Sequence, residues 1–246
     1  MSNTRIDAFL GGRLHIEQPA KGYRAGADAV MLAAACPAIG AQTVLELGCG
    51  VGVASLCLLS RQPGLRVTGV EREAGTAALA RQNAARNAVA MSVITADLAA
   101  RPAELRAQSF DHVIMNPPYF DSGTAAPSAD RAAARHEETP LDEWITVALR
   151  RLRPGGVLTM VHLASRLDAI LAGLMARAGD VTVLPIAARA GRDAGRVILT
   201  AKKGARGPLS LRAPFIMHES GQHLRDGEDL TQAAQAVLRF GQMLSV

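Results

Sequence analysis

The sequence predicts a doubly wound α/β fold, an open and mostly parallel sheet with helices on both faces. Apolar, β-rich runs of strand length alternate with periodic stretches of helix length. A glycine cluster, Gly48-Cys49-Gly50-Val51-Gly52, lies between the first of these runs and the helix after it. Glu71, Asp97 and Asn116 each stand at or just after the end of such a run. Ligands of open α/β sheets bind beyond the carboxyl ends of the strands, where these residues fall.

The elements follow in order. Gly11-Gly12 reads as a hairpin turn, and Ala27–Cys36 as a helix. Thr43–Leu47 is the first core strand, followed by the glycine cluster and an apolar helix through Arg61. Leu65–Val70 is a strand ending at Glu71, and the Ala- and Arg-rich Gly75–Asn87 a helix. Met91–Ala96 is a strand ending at Asp97, and Phe110–Met115 one ending at Asn116-Pro117-Pro118-Tyr119. Leu141–Leu152 is helical, with Leu141, Ile145, Ala148, Leu149 and Leu152 on one face. Arg153-Pro154-Gly155-Gly156 breaks it before the strand Val157–Leu163. Arg166–Ala178 is a helix with Gly179 as its stop. Val181–Ala187 and Val197–Ala201 are the last strands, and a helix runs from about Glu228 to Phe240. The segment 120–139 has no periodicity and reads as a lid. The division expected is an N-terminal extension at 1–40, a catalytic core at 41–204 and a C-terminal extension of the same domain at 205–246.

Composition narrows the class. The 246 residues are 49% hydrophobic, too apolar for a disordered chain and long enough for a large core. No apolar run has the length of a membrane span, and the polar start carries no secretory signal, so a cytoplasmic location is expected. Cys36, Cys49 and Cys57 form no CxxC pair, so reduced thiols and no metal are expected. The net charge is +5, yet residues 189–212 hold seven cations, Arg189, Arg192, Arg196, Lys202, Lys203, Arg206 and Arg212, against Asp193 alone. The rest of the chain therefore nets −1. Such a stretch reads either as solvated strand ends or as a contact for an anionic partner.

Glu46-Leu47-Gly48-Cys49-Gly50-Val51-Gly52 sits where a nucleotide cofactor would bind. Glycines let the backbone turn tightly and approach a ligand, and the helix after them presents free N–H groups. A dinucleotide site would place a third glycine at position 53, which is Val; the spacing is GxGxG, preceded by the acid Glu46. A carboxylate there repels a pyrophosphate but suits the cationic methionine part of S-adenosylmethionine. Glu71 lies 23 residues after Gly48, where a carboxylate can accept both ribose hydroxyls of an adenosine, as in NAD sites too. Asp97 can accept from an adenine amino group or cap its own turn.

Asn116-Pro117-Pro118-Tyr119 is the most specific signal. Two prolines directly after a buried strand fix the chain and hold Asn116 and the neighbouring carbonyls in one geometry. Methylation of a planar amino group needs this. Such a nitrogen shares its lone pair with a ring or carbonyl and is a poor nucleophile. The Asn116 side-chain oxygen and the Pro117 carbonyl can accept its two N–H bonds, which favours pyramidal nitrogen. Positioning and hydrogen bonds that strengthen in the transition state then supply the catalysis. Tyr119 can stack on the substrate, a contact worth ~1–3 kcal/mol for a nucleobase.

Together these motifs resemble the class I S-adenosylmethionine-dependent methyltransferases over about residues 40–203. The resemblance implies a Rossmann-like seven-stranded sheet whose last strand is antiparallel. Further stretches, Phe9–Leu14, Gly22–Leu32, Asn116–Phe120, Arg135-His136-Glu137, Lys203-Gly204 and Pro214–His218, resemble the bacterial tRNA (adenine-37-N6) methyltransferases that act on valine tRNA. Position 24 departs from that pattern, being Arg within Tyr-Arg-Ala-Gly-Ala-Asp where relatives carry a Lys-Val-Gly-Thr-Asp-like run.

The resemblance implies a cofactor site of Glu46, Gly48, Cys49, Gly50, Gly52, Glu71, Arg72, Asp97, Leu98 and Asn116. Tyr23 and Asp28 join it from the N-terminal helix region, and Asn116, Pro117 and Tyr119 are the catalytic set. Pro118, Tyr119, Phe120, Lys202, Lys203 and Arg206 are the substrate contacts. His136 reads as a surface residue, and no general base is assigned. The partner expected is RNA, with tRNA first, no membrane, and a monomer or weak dimer. A protein glutamine-N5 methyltransferase shares Asn-Pro-Pro-Tyr but carries a helical bundle for which forty N-terminal residues are too few. An rRNA or DNA amino-methyltransferase and a non-catalytic nucleotide- or RNA-binding module are the other readings.

Overall fold

The structure is a computed structural model and describes residues 4–22, 24–100, 102–119, 139–219 and 229–246. An N-terminal hairpin comes first, β1 (Thr4–Phe9) paired antiparallel with β2 (Leu14–Pro19) across a short 3₁₀ turn at Leu10–Gly12. Helix α1 (Ala27–Ala35) follows, and then the core. It comprises β3 (Thr43–Leu47), α2 (Val53–Arg61), β4 (Arg66–Glu71), α3 (Ala74–Arg86), β5 (Met91–Thr95), α4 (Ala103–Arg106) and β6 (Phe110–Met115). It continues with α5 (Leu141–Arg151), β7 (Leu152–Leu163), α6 (Leu167–Leu174), β8 (Ala178–Ala187) and β9 (Ala194–Lys203). The short strands β10 (Ser210–Leu211) and β11 (Phe215–Ile216) and helix α7 (Gln232–Leu238) complete it.

Among the described residues the main sheet has nine strands, in the order β10-β8-β9-β7-β6-β3-β4-β5, with β11 also on β8. The two beyond the expected seven are the two-residue strands β10 and β11, which extend the β8 edge. Strands β3 to β7 pair in parallel. β9 inserts antiparallel between β7 and β8, as the resemblance implies.

Successive side chains on a strand face opposite sides, and the buried residues divide accordingly. Val44, Ile114, Val161 and Ile198 pack with α1, α2, the N-terminal hairpin, Val237 of α7 and Leu244. Their neighbours Leu45, Val113, Met115, Met160 and Leu199 pack with α5 and α6. Hairpin and C-terminal helix thus share one core with the sheet. Asn83 of α3, fully buried, fastens the hairpin: its amide donates to the carbonyls of Glu17 and Val51 and accepts from the Glu17 N–H.

Three expected boundaries move. Arg153–Gly156 does not end a helix before a separate strand. β7 begins at Leu152 and the ladder with β6 skips from Leu152 to Val157, with Gly155 at φ 75° in the bulge. A Cβ on Gly156 would lie 2.9 Å from the Asp111 carbonyl, so β6 passes too close for a side chain. Gly179 is not the stop of α6. That helix ends at Leu174, Ala176 turns the chain with φ 61°, and Gly179 lies inside β8. Its glycine identity answers to a neighbour instead, since a Cβ there would sit 2.5 Å from the Ala205 carbonyl. Helix α7 starts at Gln232, because the Thr231 hydroxyl accepts from the Ala234 N–H and caps it.

Candidate active site

The carboxyl ends of β3, β4 and β6 and the loop after β5 border one cleft of about 680 Å³, within the range of small-molecule sites. Its floor is the glycine turn. Gly48, Gly50 and Gly52 have φ of 65°, 55° and 91°, a region that side chains disfavour. Gly48 has a second reason to be glycine: a Cβ would lie 2.5 Å from the Trp144 ring of α5. The turn is closed by Gly52 N–H donating to the Cys49 carbonyl at 2.8 Å and tied to β4 by Cys49 N–H donating to Val70 at 2.9 Å.

Glu46 points from β3 into the wall of this cleft and is 4% exposed. Its Oε2 accepts from the Ser55 N–H at 3.0 Å and from the Ser55 hydroxyl, so the carboxyl caps the first turn of α2 from the sheet side. Burial pushes its pKa up to about 8, and the nearby Glu71 charge adds to the rise. Glu71, at the end of β4, braces the turn: Oε2 accepts from Gly50 N–H at 3.0 Å and Oε1 from Glu73 N–H at 2.9 Å. Asp97 Oδ1 accepts from Ala99 N–H at 2.8 Å, so it does cap its own turn while lining the cleft.

The Asn116-Pro117-Pro118-Tyr119 segment closes the cleft on the β6 side. The Tyr119 hydroxyl lies 2.7 Å from Asn116 Oδ1 and 3.1 Å from Asp28 Oδ2. The Arg196 guanidinium sits over the Tyr119 ring, 4.8 Å from its centroid, and the His162 ring meets it edge-on at 5.1 Å. Burial holds the His162 pKa down to about 4, leaving the imidazole neutral near pH 7. One face expected for base stacking is therefore taken by a cation.

The cleft brings together Glu46, Gly48, Cys49, Gly50, Glu71, Arg72, Asp97, Leu98, Asn116, Pro117, Pro118 and Tyr119. Gly52 lies just behind, as the N-cap of α2. Asp28 is not on the cleft wall; it pairs with Arg196 at 3.2 Å. Lys202, Lys203 and Arg206 stand apart. β9 runs antiparallel, so Arg196 pairs with Leu163 at the cleft end of β7 while Lys202 pairs with Val157 at the far end. Six residues of strand separate them, about 20 Å at ~3.3 Å per residue. Lys203 Nζ donates there to the Leu152 carbonyl at 2.6 Å, and Arg206 follows beyond the strand. Tyr23, Phe120 and His136 lie outside the described residues. Trp144 and Lys21 on the cleft wall, and Arg196 and His162 against the Tyr119 ring, were not singled out from the sequence as site residues; Arg196 alone had a signal, its place in the basic stretch.

Strand order, the antiparallel β9 and the glycine turn beneath the cleft define a Rossmann-like class I methyltransferase. Residues 26–178 match the methyltransferase small domain family, and the chain belongs to it. A Porphyromonas gingivalis protein named tRNA1(Val) (adenine(37)-N6)-methyltransferase is 35% identical over 170 residues, 65% of this chain and 67% of that protein. One of the same name from Aeromonas hydrophila is 31% identical over 206 residues, 81% of this chain and 85% of that protein. The crystal structure of a predicted O-methyltransferase from Agrobacterium tumefaciens superposes with a TM-score of 0.72 at 30% identity, covering 89% of this chain and 99% of that one.

Proposed function

We propose that this methyltransferase moves a methyl group from S-adenosylmethionine to the exocyclic N6 of an unpaired adenine in RNA, namely adenosine 37 of a valine tRNA. The observation that carries the chemistry is Asn116-Pro117-Pro118-Tyr119 opening onto the cleft that the buried carboxyl of Glu46 also lines. The names of the relatives supply the tRNA and the position. An adenine must leave its stack for its amino group to reach Asn116. A hydroxyl acceptor, as the name of the Agrobacterium protein would have it, fits this segment less well. The Asn116 amide and the Pro117 carbonyl accept hydrogen bonds but cannot remove a proton at neutral pH.

The residues present fit the cofactor. Burial disfavours the ionised form of Glu46, on the cleft wall with one oxygen bonded to Ser55, and a cation beside it would offset that cost; S-adenosylmethionine offers an ammonium and a sulfonium. When bound it supplies an activated methyl electrophile. Glu46 holds the cationic end, Glu71 accepts the ribose hydroxyls, and Asp97 with Leu98 borders the adenine. Asn116 and Pro117 orient the acceptor nitrogen in line. Lys21, on the cleft wall, would meet an RNA phosphate; Lys202, Lys203 and Arg206 would serve only an RNA that extends past the sheet. Residues 1–40 and 205–246 act as extensions of one unit built on 41–204, in keeping with the shared core.

Cofactor binding should release a proton. Free Glu46, with its pKa at about 8, is mostly protonated at pH 7. A bound cation favours the carboxylate and pulls that pKa down. Affinity therefore rises from pH 6 to pH 8, approaching tenfold per unit at its steepest. Calorimetry at pH 7 in buffers of different ionisation enthalpy should read close to one proton released, and Glu46→Gln should remove it. A flat pH profile would take Glu46 away from the cationic end.

The reading as a whole is tested by nucleoside mass spectrometry of cellular RNA with and without the gene. Loss of N6-methyladenosine from one valine tRNA is expected. An unchanged RNA profile with a changed protein-methylation profile would overturn it.

A further inference from the structure

Beside Asn116, side chains from four separate elements converge. Asp28 comes from the first turn of α1, Tyr119 from the segment after β6, His162 from the end of β7 and Arg196 from the start of β9. Of these only Tyr119 lines the cleft. The other three hold it: Arg196 over a ring face, His162 at right angles with 79° between planes, and Asp28 at the hydroxyl. Arg196 Nε donates to the same Asp28 Oδ2 that faces the hydroxyl, at 3.2 Å. Three elements distant in sequence meet around the phenol of a fourth, more than a tie between α1 and the sheet would require.

A phenol carries one proton, so at any moment the Tyr119 hydroxyl donates to Asn116 Oδ1 or to Asp28 Oδ2, not fully to both. Asn116 Oδ1 is the atom assigned above to the substrate N–H. While the hydroxyl donates to it, it is a weaker acceptor for a second donor on the same side. Turning the O–H to Asp28, 3.1 Å away, frees the amide oxygen without moving the ring.

We propose that Asp28 and Arg196 are positioning residues of the acceptor pocket. Asp28 takes the Tyr119 hydroxyl bond when the substrate amino group occupies Asn116 Oδ1, and Arg196 fixes both Asp28 and the ring for that exchange. In the absence of substrate the hydroxyl stands in for the amino N–H and keeps the pocket satisfied. This rests on the amino-acceptor reading of Asn116 and extends it to two residues outside the cleft. The neutral His162 packs edge-on against the ring at 5.1 Å and brings no second cation to it.

The test is a double-mutant cycle on kcat with Asp28→Asn and Tyr119→Phe, using unmodified valine tRNA transcript and saturating S-adenosylmethionine. Asp28→Asn should lower kcat about 5–20-fold, because the hydroxyl then stays on Asn116 Oδ1; Tyr119→Phe should lower it less, about 2–5-fold, because it loses the ring's anchor and the competing donor together. The double variant should be no worse than Tyr119→Phe alone by more than about twofold, a partial rescue of Asp28→Asn. Cofactor Kd and Tm should stay close to wild type in Tyr119→Phe, which removes one oxygen atom. A merely structural ion pair would lower Tm in Asp28→Asn and multiply with Tyr119→Phe; multiplicative losses overturn the proposal. Should Asp28→Asn fold poorly, the same cycle is run with Arg196→Lys, which keeps a cation but loses the planar group over the ring. The same non-multiplicative result is expected. If Asn116→Ala retains wild-type kcat, the acceptor reading itself fails. If Asn116→Ala is inactive and the cycle is multiplicative, only the role given to Asp28 and Arg196 fails.

Discussion

Replacing Asn116 by alanine should leave a protein that binds S-adenosylmethionine with near wild-type affinity and transfers methyl groups on the order of 10²–10³-fold more slowly, the loss seen when one preorganised hydrogen-bonding group is removed from a transition-state site. Asn116 lies at the end of β6, between two backbone restraints. The preceding residue, Met115, is fully buried and in register with Leu47 of β3 and Met160 of β7, and the two following residues are prolines. The amide therefore has little freedom to move away from the cleft. Its oxygen already accepts from the Tyr119 hydroxyl at 2.7 Å, so an acceptor pointing into the pocket is present before substrate arrives. Alanine removes that acceptor and leaves the backbone path unchanged. Asn116→Asp should fall between the two, since a carboxylate still accepts but adds a charge. Single-turnover kinetics with calorimetric cofactor titration separates these outcomes. Transfer by Asn116→Ala at the wild-type rate would remove the residue from its role.

Much of this site was legible because the relevant signals are local. Thr43–Leu47 and Phe110–Met115 are observed as strands with the boundaries expected from sequence, and each ends where a β-rich run meets a glycine or proline that cannot continue it. The GxGxG spacing predicts a turn that side chains disfavour, and all three glycines adopt positive φ. What was not legible depends on contacts between distant parts of the chain. The end of α6 is set by Ala176 adopting φ 61°, a conformation nothing in alanine announces. Gly48 lies against Trp144, nearly a hundred residues away, so the indole in the cleft wall has no local sequence signature. The basic stretch 189–212 reads as one patch on paper. The reversal of β9 divides it, sending Arg196 to Tyr119 and Lys202 to the opposite end of the strands. Strand direction is a property of the sheet, and charge counting along the chain cannot supply it.

Glu71→Ala should raise the S-adenosylmethionine Kd by at least ~10²-fold. A carboxylate has about four acceptor positions on two oxygens. Two of them are taken by Gly50 N–H and Glu73 N–H, which fixes the carboxylate at the cleft edge and leaves an acceptor on each oxygen for the paired ribose hydroxyls. Two bonds to a charged acceptor contribute ~1.5–3 kcal/mol each, and each ~1.4 kcal/mol is tenfold in Kd. Removal of the side chain also releases the Gly50 N–H, and with it one restraint on the glycine turn. The two contributions are separable with S-adenosylhomocysteine and its 2′-deoxy analogue. A carboxylate that grips the ribose makes wild type prefer the parent compound, and Glu71→Ala should abolish that preference. A carboxylate that only braces the turn would weaken both ligands equally and leave the preference intact. Glu71→Gln should lie between wild type and alanine, because its amide keeps one oxygen but sets an N–H₂ against a backbone donor. Unchanged affinity in Glu71→Ala would exclude the residue from the cofactor site, and with it the assignment of the β4 end to the ribose.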